Sequence, residues 1–125
     1  MKICGIVCEF NPLHEGHLRL LRAARERAGT VVLCMSGNFT QRGEPAVLDK
    51  FTRAAWAVGA GADLVLELPS PFALSSAEGF CECGVSVLRA FGADGLAFGS
   101  ECGDLAALRA AAERLDRPET AEKLR

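Results

Sequence analysis

The chain has only two histidines, His14 and His17, and both fall in the stretch Cys8-Glu9-Phe10-Asn11-Pro12-Leu13-His14-Glu15-Gly16-His17. Three positions apart, they project from one face of a helix that begins there, so both imidazoles aim at one object. A short apolar run, Ile3 to Val7, precedes the stretch, and apolar residues at helical spacing follow it. The stretch therefore sits where a strand hands over to a helix. A helix N-terminus offers unpaired N–H groups and roughly half a positive charge, and Gly16 lets a ligand come close to the backbone. This favours binding of an anion, a nucleotide phosphate above all, with the imidazoles donating to its oxygens. Metal ligation is one competing reading, but it needs a third and usually a fourth ligand, and no zinc-type cysteine spacing accompanies the pair. A structural histidine at a helix start is the other, and against it stands the placement of both histidines in one turn beside a glycine.

At 125 residues the chain makes one domain, large enough to bury roughly two thirds of its unfolded surface. A net charge of −2 argues against a wide basic surface for nucleic acid and leaves room for a local basic patch. No apolar run approaches the roughly 20 residues of a membrane span. Glu9 and Asn11-Pro12 interrupt the N-terminus before a signal-peptide core is complete, so a cytoplasmic protein is expected. Of the six cysteines, Cys4, Cys8 and Cys34 fall in buried-looking strands where a free thiol behaves as a small hydrophobe; Cys81, Cys83 and Cys102 do not. Reduced thiols are expected, and Cys81-Glu-Cys83 is too short and isolated to read as a metal or redox motif.

The elements that must position the histidines alternate strand and helix. The first strand is predicted over Lys2 to Cys8. The first helix runs from Glu15 to Ala28, with His17, Leu21, Ala24 and Ala28 on one face and Arg19, Arg22 and Glu26 on the solvated one, and Gly29 ends it. The continuous apolar run Thr30 to Met35 reads as a second strand covered on both faces, followed by a polar loop from Ser36 to Pro45. A second helix over Leu48 to Gly59 is expected to bury Leu48, Phe51, Ala55 and Val58. Asp63 to Leu68 is the third strand. Gly59-Ala60-Gly61 precedes it, which makes that segment a helix-ending turn without a ligand role. Pro69 and Pro71 break the chain, and Ser75 or Ser76 caps a third helix whose core face is Phe80, Gly84, Val87, Leu88 and Phe91. Gly95 to Phe98 is the fourth strand and Gly99 to Asp104 a polar turn, after which Asp104 caps a fourth helix with Leu105, Leu108 and Leu115 inward. Pro118 fits the first turn of a final charged helix, Glu119 to Arg125, whose small apolar face needs a partner such as a second copy of the chain.

Short connections between such units imply an α/β fold, a doubly wound parallel sheet with right-handed crossovers. With strand one central and strand four on its far side from strand two, the order is 3-2-1-4. Ligands then bind at the carboxyl edge where the winding reverses. That brings the Asn11 to His17 turn and the Gly99-Ser100-Glu101 turn to one crevice, with the Ser36 to Pro45 loop beside them.

Asn11-Pro-Leu-His-Glu-Gly-His17 after a first strand resembles the HxGH signature of the nucleotidyltransferase superfamily, a Rossmann-like group. Four segments together are similar to the bacterial tRNA(Met) cytidine acetate ligase family: Glu9 to His17, Met35-Ser-Gly-Asn-Phe-Thr-Gln-Arg-Gly-Glu-Pro-Ala46, Asp63-Leu-Val-Leu-Glu-Leu-Pro69 and Phe98-Gly-Ser-Glu101. The likeness covers about Met1 to Asp104. It implies an enzyme that adenylates acetate with ATP and passes the acetyl group to the exocyclic amine of the wobble cytidine of elongator tRNA(Met).

It further implies His14 and His17 as catalytic donors to the phosphates. Val7, Cys8, Glu9, Phe10, Asn11, Pro12, Leu13, Gly16 and Leu18 would line the nucleotide, with core packing the competing role for Phe10. Gly99, Ser100 and Glu101 would flank the adenine or ribose. Ser36, Gly37, Asn38, Gln41 and Arg42 would face the acceptor, with a solvated loop charge the competing role for Arg42. Lys50 is open between the phosphate side and the surface. Magnesium is expected with the pyrophosphate leaving group, and Asp49, Glu44 and Glu101 are its candidate contacts. The family's C-terminal region, which completes the pocket and holds tRNA, is absent from this chain, so residues 1–125 are expected to be the nucleotidyltransferase-like catalytic domain. Two alternatives keep the fold: a small-molecule adenylyl- or cytidylyltransferase, and a truncated non-catalytic ATP-binding module. Acyl specificity stays open, because one methylene discriminates by only about 1–3 kcal/mol.

Overall fold

The computed structural model describes residues 1–117, so the charged helix expected after Pro118 lies outside the described residues. Among the described residues nine elements follow one another: β1 (Ile3–Cys8), α1 (Glu15–Arg27), β2 (Thr30–Ser36), α2 (Lys50–Gly59), β3 (Leu64–Leu68), α3 (Ser70–Ala73), α4 (Ala77–Phe91), β4 (Gly95–Leu96) and α5 (Leu105–Leu115). The strands form one parallel sheet in the order β3-β2-β1-β4, the predicted winding with its reversal between β1 and β4. Successive strand residues point to opposite faces, and the core divides accordingly. Cys4, Ile6, Cys8, Val31, Leu33 and Met35 pack with Leu21 and Ala24 of α1 and Ala57 of α2. Val32, Cys34 and Leu68 pack with Phe80 and Leu88 of α4 on the other side. Burial pushes the Cys34 thiol up to about 11 and raises Cys4 and Cys8 as well, so all three are neutral core residues. All six cysteines are free thiols.

Helix α4 lies close on β1 because glycines remove side chains from the contact. A Cβ at Gly84 would stand 2.6 Å from Val7 Cγ1, and one at Gly5 would stand 2.8 Å from Leu88 Cδ1. Gly84→Ala is therefore expected to destabilise the chain by about 1–2 kcal/mol. Overpacking of about 1–3 kcal/mol outweighs the roughly 1 kcal/mol that alanine gains over glycine in a helix. A lowered urea midpoint checks this, and an unchanged or raised midpoint would show that α4 can move off the sheet.

Several faces differ from expectation. In α2 the buried residues are Arg53 and Ala57, while Phe51 is 76% exposed and Val58 and Ala55 are also on the surface. The apolar stripe misled because a charged residue occupies the true inner face, satisfied there by carbonyls. Phe91 is exposed at the end of α4, and α5 buries none of its residues: Leu105 and Leu115 lie open and only Leu108 is half-covered. The cause is β4, which pairs over two residues and does not reach Phe98, so the sheet offers α5 little surface. Asp63 stands just before β3, where its carboxylate accepts the Val31 N–H at 2.7 Å and pairs with Arg25 at 2.6 Å. The turn α3 between Pro69 and Leu74 was not expected as a helix. Among the described residues no helix is long and apolar enough to cross a membrane.

Candidate active site

The carboxyl end of β1 runs into a turn that a histidine closes. His14 is the N-cap of α1, and its Nδ1 accepts the Gly16 N–H at 3.1 Å. His17, three residues on, accepts the His14 N–H on its own Nδ1 at 3.3 Å. This is a capping box with imidazoles in the roles usually held by Ser or Thr and Glu or Gln. A neutral ring that accepts at Nδ1 carries its proton on Nε2, so both histidines present an Nε2–H as the free donor. The rings stack with centroids 3.6 Å apart, and the Phe10 ring sits 4.5 Å behind His17.

Burial first, and the neighbouring His14 second, hold His17 below the usual histidine range. His17 is thus arranged to act as a neutral donor near pH 7. The sign of the pH effect follows. The unfolded chain takes up the His17 proton near the ordinary value of 6.5 and the folded chain only below it, so stability falls as pH drops through that value and levels off under the folded one. Urea midpoints at about pH 7.5 and 5.5 should differ more for the wild type than for His17→Gln; equal differences would contradict this assignment.

Phe10 takes φ +46°, in the left-handed region that non-glycine residues rarely occupy, and its side chain is 2% exposed. Such a conformation costs of order 1–3 kcal/mol and persists because the surroundings fix both sides of the turn. Arg53, 1% exposed, supplies much of that fixing. Its Nη1 donates to the Glu9 carbonyl at 2.6 Å, its Nη2 to the Ser36 carbonyl at 3.1 Å and to the Gly37 carbonyl, and its Nε to the Leu48 carbonyl at 3.1 Å. Side chains lace the same loops together. The Gln41 N–H donates to Glu9 Oε1 at 2.6 Å, the Val47 N–H to Asn11 Oδ1 at 2.7 Å, and the Lys50 N–H to Asn38 Oδ1 at 2.9 Å.

Val7, Cys8, Glu9, Phe10, Asn11, Pro12, His14 and His17 line an open cleft of about 420 Å³, with Leu20 as a further wall. Leu20 was not expected there; its place one helical turn beyond Gly16 and His17 was the available signal. Leu13 packs against the core, and Gly16 and Leu18 belong to the first turns of α1 without lining the cleft. Ser100 lines a second cavity of about 340 Å³ between α1 and α5, which shares Leu20 with the first; Gly99 and Glu101 are exposed beside it. The two turns expected in one crevice instead border separate cavities that meet at Leu20. Ser36 and Gly37 are buried, and Ser36 Oγ has no hydrogen-bond partner in the structure. Asn38 and Gln41 spend polar groups on the scaffold, Gln41 also donating to the Ser75 carbonyl, and Arg42 is exposed.

Of the candidate magnesium contacts, Asp49 caps α2, accepting from the Phe51 and Thr52 N–H groups and the Thr52 hydroxyl, while Glu44 and Glu101 are exposed. Among the described residues no three His, Cys, Asp or Glu side chains converge as a metal cage. What the arrangement can do is bind a polyanion: two Nε2–H donors and a helix N-terminus face a cleft at the carboxyl edge of a parallel sheet.

A family model described as HIGH Nucleotidyl Transferase matches residues 1–125. Over 118 residues the chain is 52% identical to a tRNA(Met) cytidine acetate ligase of Syntrophotalea carbinolica, covering 93% of this chain and 28% of that protein. It is 46% identical over 117 residues to the ligase of the same name from Caldicellulosiruptor bescii, covering 92% and 29%. The crystal structure of Thermotoga maritima TmcAL bound with alpha-thio ATP superposes with a TM-score of 0.87 at 47% identity, over 98% of this chain and 31% of that one. The chain therefore spans less than a third of the length of these relatives.

Proposed function

Because the chain belongs to the HIGH nucleotidyl transferase family, we propose that it is the adenylating domain of a tRNA(Met) cytidine acetate ligase. The observation that carries this reading is the imidazole pair, locked by its own capping box with both Nε2–H groups free at the mouth of the β1 cleft. Support comes from the identity of about half to relatives of that name and from the likeness to a structure that binds an ATP analogue.

In this reading ATP lies along the carboxyl edge. Its phosphates meet His14, His17 and the first N–H groups of α1. The adenosine reaches toward Leu20 and the Gly99-Ser100-Glu101 turn. The acetate carboxylate attacks the α-phosphorus, pyrophosphate leaves, and negative charge grows on the non-bridging and leaving oxygens. Nε2–H donors held by backbone contacts need no reorganisation to stabilise it. The Val7 to Pro12 segment walls the nucleotide, and Ser36, Gly37, Asn38, Gln41 and Arg42 wall the acceptor side. Magnesium enters with the triphosphate as part of the substrate, since it prefers phosphate oxygens and water to an all-protein cage. In the second half-reaction the cytidine amine attacks the acetyl carbonyl and AMP departs. The tRNA body is held by parts of the protein beyond this domain, and its use as substrate implies a cytoplasmic setting.

Acetate-dependent ATP–pyrophosphate exchange tests the reading. Exchange that requires acetate and is lost in His17→Ala is the expected result. Exchange without acetate would make the protein a simpler nucleotidyltransferase, and ATP binding without any exchange would make it a binding module; either overturns the ligase assignment.

A further inference from the structure

The edge strand β3 carries a carboxylate near its end, Glu67, that the adenylation step does not use. Glu67 Oε1 and Oε2 receive Lys50 Nζ at 2.9 and 2.7 Å, and both side chains are partly open to solvent. The two charges, with Met35, Ala54, Val65 and Phe51, line a pocket of about 150 Å³, suited to one planar ring. Phe51 stands 76% exposed at its side, with Lys50 Nζ 5.4 Å from the ring centroid. Gly37 gives the carboxylate its room, since a Cβ there would lie 2.5 Å from Glu67 Oε1. The pocket lies along the same carboxyl edge of the sheet as the β1 cleft. Cys8, Met35 and Glu67 are register partners across β1, β2 and β3, and the core packing of Cys8, Met35 and Val65 puts these side chains on the face covered by α1 and α2. At about 4.8 Å per strand, Glu67 lies about 10 Å along the edge from the end of β1.

We propose that this pocket receives the acceptor base, with Glu67 and Lys50 reading the edge of a cytosine; the proposal rests on the ligase reading above. A carboxylate beside an ammonium matches cytosine, whose edge runs from an N4–H donor to N3 and O2 acceptors. Uracil fails the match, because its O4 would face the carboxylate. Phe51 supplies a stacking surface. The 10 Å offset leaves space for the acetyl phosphate between the imidazoles and N4. When N4 attacks the acetyl carbon, the carbon–oxygen bond to AMP breaks with its electron pair leaving on AMP, and the N4 proton passes to the Glu67 carboxylate.

The test adds free cytidine, uridine, adenosine or acetate to the chain saturated with a non-hydrolysable ATP analogue, and follows the Phe51 ring and Ala54 methyl signals by NMR. The wild type should bind cytidine at least tenfold more tightly than uridine. Glu67→Gln, whose amide can face either base, should bring the ratio close to one. Phe51→Ala, a change at an exposed site, should weaken both nucleosides together. Equal binding of cytidine and uridine by the wild type, an unchanged ratio in Glu67→Gln, or preferential uptake of adenosine or acetate in this pocket would overturn the proposal. Binding of the ATP analogue in the same samples separates the two readings: its loss would count against the phosphate cleft, and its retention without cytidine selectivity against this pocket alone.

Discussion

His17→Glu is expected to give a chain that folds as stably as the wild type and neither binds ATP nor exchanges pyrophosphate. Glutamate is the usual partner at the third helical position of a capping box, so it can accept the His14 N–H that His17 Nδ1 accepts at 3.3 Å. The helix start is kept while a negative charge replaces an Nε2–H donor facing the phosphates. His17→Ala separates the two contributions differently. It removes the donor and the cap together, so it should lower exchange by about 10²–10³-fold, the effect of deleting one preorganised donor, and also destabilise by about 1 kcal/mol. If His17→Glu still bound ATP with wild-type affinity, His17 would be a cap and nothing more.

Arg53→Met should destabilise the chain by at least about 3–5 kcal/mol. Methionine fills part of the volume but leaves the carbonyls of Glu9, Ser36, Gly37 and Leu48 without their donor, at about 1–3 kcal/mol for each that water cannot reach. Against a total stability of about 5–15 kcal/mol for a domain, that leaves little or no folded protein. Arg53→Lys should fall between, because a single ammonium cannot span carbonyls that a planar fork reaches from one position. Urea unfolding followed by circular dichroism measures both. A methionine variant with a cooperative transition near the wild-type midpoint would show that the four carbonyls find other partners.

The same arginine marks where the sequence stopped being readable. Apolar periodicity located each of the four strands to within two residues, and the strand order followed from the winding. Helix α2 was placed correctly and turned wrongly, since its periodicity is carried by Phe51, Ala55 and Val58 on the surface while Arg53 points in. A buried guanidinium leaves no trace in a hydrophobic pattern when its partners are main-chain carbonyls from three separate segments. The histidine pair stood out as a candidate site from its spacing and neighbours, but its capping role did not. The residues expected to cap a helix are hydroxyl, carboxylate and amide side chains, and only coordinates reveal an imidazole nitrogen in their place. The Glu67–Lys50 contact was hidden for a related reason: the two residues are 17 positions apart and meet only when β3 lies beside the start of α2.

In the proposed reading two imidazoles, each held through Nδ1, grip the phosphates through Nε2–H. Long-range ¹H–¹⁵N spectra of both histidine rings, recorded while a non-hydrolysable ATP analogue is titrated in near pH 7, address it directly. Both rings should begin as the Nε2–H tautomer, and both Nε2 resonances should move with one saturating dissociation constant while Nδ1 keeps its acceptor signature. Rings that start in the other tautomer, or that stay unmoved while resonances elsewhere in the chain report binding, would contradict the account.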